Sequence, residues 1–221
     1  MKLAIRPLVL STATFGLMLG VSQNAQAAGL IPRVTASTAN SASGWNIANT
    51  VNGVGLPSNT PSLTENHNVT NSTNSWRTNT IPVGTPLSSV TIEFNFNRIY
   101  NLAGFSFWNL SSSSATQGIN TLTIEYKLNT GAWTTLTGPG VPLAFAQGTT
   151  STTSSISPQV FNFSPVYATN VRFSNMTNHG GSGNNRRLGF SEIQFRSIPE
   201  PSSTLALLAL GLGGVGLRKR V

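Results

Sequence analysis

The chain contains no cysteine and no aspartate, and only 8% of its 221 residues are charged. An average globular protein carries roughly 25% charged residues. Without cysteine there is no disulfide, no thiolate metal site and no thiol nucleophile. Without aspartate, and with five glutamates, the paired carboxylates of acid–base catalysis and the carboxylate-rich cages that hold metals are hard to assemble. Asn, Ser, Thr and Gly fill the space that charge would occupy. The hydrophobic fraction, 38%, still supports the core of one ordinary domain plus terminal signals.

A net charge of +8 invites a nucleic-acid reading. Much of it sits at the ends, on Lys2, Arg6, Arg218, Lys219 and Arg220. With those five and Glu200 set aside, eight bases face four glutamates (Glu65, Glu93, Glu125, Glu192), leaving a scattered +4 with one adjacent pair, Arg186-Arg187. Nucleic-acid binding needs basic residues clustered on one face, so it is not expected here.

The N-terminus places Lys2 and Arg6 before an apolar run from about Leu8 to Val21, followed by Ala25-Gln26-Ala27. That order of charge, grease and small residues is a secretory signal peptide over residues 1–27, cut near Ala27. The C-terminus has its own order: Pro199-Glu200-Pro201, an apolar stretch Leu205–Leu217, then Arg218-Lys219-Arg220. The prolines break any preceding regular structure. The apolar stretch is short for a spanning helix of about 20 residues, and the basic tip favours the cytoplasmic side. The three parts together resemble the PEP-CTERM sorting tail of Gram-negative bacteria, over residues 199–221. The resemblance implies transient membrane residence through a C-terminal hydrophobic helix. It also implies recognition by an exosortase, and a secreted or cell-envelope protein that is extracellular after processing.

The middle, residues 28–198, alternates with period two. Val90, Ile92, Phe94 and Phe96 alternate with polar residues, as do Leu122, Ile124, Tyr126 and Leu128; Val171/Phe173 and Ile193/Phe195 repeat the pattern, and Phe105/Phe107 mark another strand. Such alternation predicts half-buried antiparallel strands, and no stretch has convincing helical periodicity. Asn129-Thr130-Gly131 predicts a three-residue hairpin loop with Gly131 in the left-handed position. Residues 44–79 read as a long polar loop anchored by a few apolar residues. An all-β antiparallel sandwich or jelly roll follows.

The order of features resembles the discoidin-like (F5/8 type C, galactose-binding-like) domain. The motifs are "ASTANSASGWNIANTVNG" ending in Asn52-Gly53, Trp76 in "SWRT", "VTIEFNF", "FSFWNL", "TIEYKLNTGAW" with Trp133, "ATNVRF" and "LGFSEIQF". The match spans residues 35–196. It departs from the family where Asn52 replaces an Asp. The resemblance implies a carbohydrate-binding module, and it makes Asn52 and Glu192 candidates for a structural Ca²⁺ site. It also implies that Trp76 and Trp133 pack in the core.

Candidate ligand-binding residues come from the early loop (Trp45, His67, Trp76, Arg77) and the late one (His179, Asn185, Arg186). An aromatic platform with planar hydrogen-bonding side chains on loops at one end of a sandwich suits a sugar. No catalytic residues are assigned, because no acid–base constellation is visible. Two alternatives stand beside carbohydrate binding: a structural biofilm or surface-layer protein with no defined ligand, and a glycan hydrolase. The second needs two carboxylates in one cleft roughly 5–10 Å apart. A concave loop surface with exposed Trp45 or Trp76 favours binding; four buried tryptophans favour the structural role.

Overall fold

A computed structural model describes residues 29–198; the signal-peptide and sorting-tail expectations lie outside these residues. The described residues form eight strands linked by short 3₁₀ turns: β1 Gly29–Leu30, β2 Thr35–Ser37, β3 Trp76–Arg77, β4 Ile92–Asn109, β5 Thr123–Lys127, β6 Thr134–Thr135, β7 Gln159–Ser174 and β8 Gly189–Ser197. All pairings between them are antiparallel. This is the sandwich that the alternation predicts.

Two long strands make it a sandwich rather than a flat sheet. The first part of β4 pairs with β2 and with the end of β7, which continues to β5 and β6. Its second part pairs with β8 and with the start of β7, and β8 carries β1 and β3 on its other edge. The switch between layers falls at a register shift between Asn95 and Tyr100. There Asn97 adopts φ +61°, a left-handed conformation that asparagine tolerates better than most residues. Asn95 Oδ1 accepts from the Asn97 amide at 2.7 Å, and Asn97 Nδ2 donates to the Arg33 carbonyl at 2.8 Å. Side chains thus take over hydrogen bonds that the ladder drops.

The core lies between the layers. Phe94 of one layer meets Phe173 beside it and Phe195 across the gap, both at 5.1 Å between ring centroids. Phe105, Phe107 and Phe190 extend the cluster, all essentially buried. Burying each such ring contributes about 2–3 kcal/mol, and edge-to-face pairing adds to it.

Three expectations are corrected here. The runs around Phe94 and Phe107 are one strand, β4, because the bulge bends it without ending it. The left-handed residue of the β5–β6 hairpin is Asn129 (φ +53°), not Gly131, whose amide instead closes the turn on Leu128. Trp133 is not in the core: it lies half-buried on the polar face, its ring 4.4 Å from Lys127 Nζ and 4.5 Å from Arg172 Cζ.

From Thr38 to Ser75 the chain has no named strand, and buried groups hold it instead. The His67 ring is fully buried, with its nitrogens 2.7 and 3.1 Å from the carbonyls of Asn68 and Val54. Gly55, at φ +100°, leaves it room: a Cβ there would sit 2.4 Å from the ring.

Candidate functional site

Four segments meet at one end of the sandwich. Trp45 is set by a tight turn, its amide donating to Ala42 O at 2.9 Å, while the Ala42 amide donates to Arg77 O. Arg77 follows the buried Trp76 on β3, which lies against β8 with Arg77 opposite Gly189. A Cβ on Gly189 would fall 2.4 Å from the Trp76 carbonyl, so the approach requires glycine. Gln117 ends a 3₁₀ turn, Ser112–Gln117, and Asn185 ends another, Gly183–Asn185.

The side chains converge in a chain of contacts. The Arg77 guanidinium lies 4.1 Å from the Trp45 ring centroid. Its Nη1 reaches Gln117 Oε1 at a long 3.4 Å, and Gln117 Nε2 donates to Asn185 Oδ1 at 3.2 Å. Arg77 Nε is enclosed with no acceptor. Burial first, then the Arg187 charge, lowers the Arg77 pKa. Arg187 donates through Nε and Nη2 to one hydroxyl, Thr80 Oγ1, at 3.1 and 2.9 Å. Trp45, Arg77 and Asn185 therefore come together, with Trp45 half-exposed and Asn185 exposed.

Other expected site residues sit elsewhere. Trp76 is fully buried, 5.7 Å from Phe190, with its indole N–H directed to Ser41 Oγ at 2.9 Å, so no ligand reaches it. His67 is sealed in the loop interior as described, and burial lowers its pKa. Arg186 is consumed by the fold: it donates to the carbonyls of Ile81, Pro82 and Thr85 at 3.0, 2.5 and 2.7 Å. His179 lies against the 118–120 backbone, its amide donating to Gly118 O at 3.2 Å, and burial lowers its pKa. Gln117 was not anticipated: a lone glutamine closing a serine run gives no chemical signal, and only the packing of two distant turns makes it a bridge.

The structure separates the two calcium candidates. Asn52 is exposed, and its Oδ1 accepts from the Val54 amide at 3.0 Å. Glu192 is fully buried, and its Oε1 accepts from the Gly53 amide at 3.1 Å and from Gln194 Nε2. Two N–H donors face that oxygen, while the other, Oε2, is buried with no partner among the described residues. Ca²⁺ takes six to eight oxygen ligands. Among the described residues no three His, Cys, Asp or Glu gather in one place. Burial pushes the Glu192 pKa well above the usual carboxylate range. Through Oε1 this carboxyl fastens the Gly53 loop to β8.

Glu93 and Glu125 stand on the outer face, on either side of Arg172 in register. Arg172 donates to both Glu125 oxygens at 2.8 Å, and Lys127 reaches Glu93 at 3.1 Å. These acids are paired on a sheet face rather than across a cleft. The pocket of about 250 Å³ beside Leu122, Leu136, Val141 and Leu143 has no charged lining residue and shares none with the Trp45 cluster. Among the described residues no helix is long and apolar enough to cross a membrane.

Residues 197–220 match the family model of the PEP-CTERM protein-sorting motif. The chain carries a PEP-CTERM sorting motif. That motif indicates an exported, envelope-associated protein. No curated protein matches the chain. Among solved structures, CBM32-3 from a family 31 glycoside hydrolase of Clostridium perfringens superposes with a TM-score of 0.51 at 17% identity, over 77% of this chain and 94% of that one. The family 32 carbohydrate-binding module of C. perfringens NanJ, solved with galactose, gives 0.49 at 13% identity, over 77% of this chain and all of that one. The sandwich that precedes the PEP-CTERM motif thus has the discoidin-like, galactose-binding-like fold.

Proposed function

We propose that this is an exported, non-enzymatic envelope protein that binds carbohydrate, an exopolysaccharide or surface glycan, through the pole formed by Trp45, Arg77, Gln117 and Asn185. The observation that carries this reading is the half-exposed Trp45 indole backed by the Arg77 guanidinium at the end of β3, which the buried Gln117 links to the exposed Asn185 amide at one end of the sandwich. An indole face stacks on the C–H face of a pyranose, and planar amides and guanidinium groups match its hydroxyls. The likeness to a family 32 carbohydrate-binding module supports it at the level of fold.

In this reading residues 1–27 direct export and are removed, and residues 199–221 hold the protein at the inner membrane until an exosortase processes it. Replacing Pro199-Glu200-Pro201 with alanines is expected to block processing; unchanged processing and location would remove this part of the proposal. Carbohydrate binding is tested by titrating the processed protein with a glycan panel while following tryptophan fluorescence and heat. No response to any glycan would favour the structural surface-layer reading instead.

A further inference from the structure

Acids and bases are distributed unevenly over the described residues. Their two ion pairs, Lys127–Glu93 and Arg172–Glu125, are both on the outer sheet face. Glu192 is enclosed with Gly53 and Gln194, and the exposed Glu65 makes no ion pair among the described residues. Arg77 in the proposed pole, and Arg186 and Arg187 on the loop leading into β8 beside it, have no carboxylate partner among the described residues. Arg186 is locked onto three carbonyls and supplies a fixed positive charge.

The other two guanidinium groups are short of acceptors. A guanidinium offers five N–H donors. Arg77 has one neutral acceptor at 3.4 Å and an enclosed Nε with none. Arg187 directs two donors at a single hydroxyl. Holding like charges together in a partly dry place is unfavourable unless an anion joins them. A planar carboxylate is the group that guanidinium geometry engages in pairs.

We propose that this pole selects acidic glycans, chains of sugars bearing a carboxylate such as uronic acids, with Arg77 and Arg187 reading the charge beside the Trp45 platform. The inference rests on the carbohydrate reading and adds the ligand class to it.

The experiment compares an oligogalacturonate, its methyl ester and the matching neutral galactose oligomer by calorimetry on the purified protein. The acid is expected to bind about tenfold tighter than the ester, the scale of a charge-assisted pair. Raising salt from about 50 to 500 mM should erode that advantage. In Arg187→Gln the acid-to-ester ratio is expected to fall toward one, with thermal unfolding reporting whether the fold is kept. An ester or neutral oligomer that binds as well as the acid overturns this inference and leaves carbohydrate binding standing. Binding to sulfated galactose but not to the uronate overturns the carboxylate assignment. Silence across all of these and a wider glycan panel overturns both proposals.

Discussion

Two indoles in this domain lie against guanidinium groups: Trp45 against Arg77 at 4.1 Å, and Trp133 against Arg172 at 4.5 Å. Around Trp133 the charges are balanced. Arg172 has both oxygens of Glu125, and Lys127 has Glu93. Around Trp45 they are not, and Arg77 leans on a neutral amide 3.4 Å away. The same pair of side-chain types makes a finished structural element in one place and an unfinished one in the other. An aromatic–cation contact is therefore not a binding signal by itself; its unspent hydrogen bonds are.

That contrast can be broken at either end. Trp45→Ala should have the largest effect, a loss of about 2–4 kcal/mol in glycan binding, thirtyfold or more, with thermal unfolding little changed. Glu125→Ala should act oppositely, costing about 2 kcal/mol of stability by leaving Arg172 unpaired while glycan affinity holds. The Arg172 hydrogen bond keeps the Glu125 pKa below the usual range. Its contribution is thus present above the unfolded value of about 4.3 and lost as pH falls through the lower folded value. Urea unfolding at neutral and acid pH would show both.

Gln117→Glu would give the Trp45 cluster the acid it lacks. The acid-glycan preference should drop about tenfold, roughly 1.4 kcal/mol, and calorimetry on the acid–ester pair reads it. Glu192→Gln tests whether the Glu192–Gly53 loop tie works without a metal. The folded pKa of Glu192 is raised, so the wild type loses stability as pH climbs above about 4.3, where the unfolded chain releases its proton. The variant should melt about 3 °C higher at pH 8 and unchanged at pH 4. If added calcium stabilises the wild type but not the variant, the metal-free tie is wrong. Trp133→Ala should move glycan affinity by less than about twofold, within the range of surface substitutions.

Local signals carried much of the fold. Alternation at Ile92, Phe94 and Phe96, and again at Ile193 and Phe195, placed inward faces correctly, because period two is written residue by residue. The continuity of β4 was not legible, since a bulge at Asn97 looks like a turn until its partner strand is known. The first half of β7 was hidden too: Pro165 and exposed neighbours mask Phe161 and Phe163. At the site, Trp45, Arg77 and Asn185 were legible as loop residues of the right chemistry. His67 and Trp76 were not separable from them, because burial depends on which distant segments close over a loop. Gln117 joins them only through contacts 40 and 68 residues away.

β8 begins at Gly189, opposite Arg77, and ends at Ser197, opposite Gly29. The matched sorting motif starts at residue 197, and the Ile198 amide is still bonded to Asn101 O at 3.0 Å. At about 3.3 Å per residue, nine residues make a stiff rod of roughly 27 Å. Whatever grips the chain beyond Ile198 holds the domain like a flag by the foot of its pole. The loops of the proposed ligand site then stand about the length of β8 from the point where the chain leaves the domain.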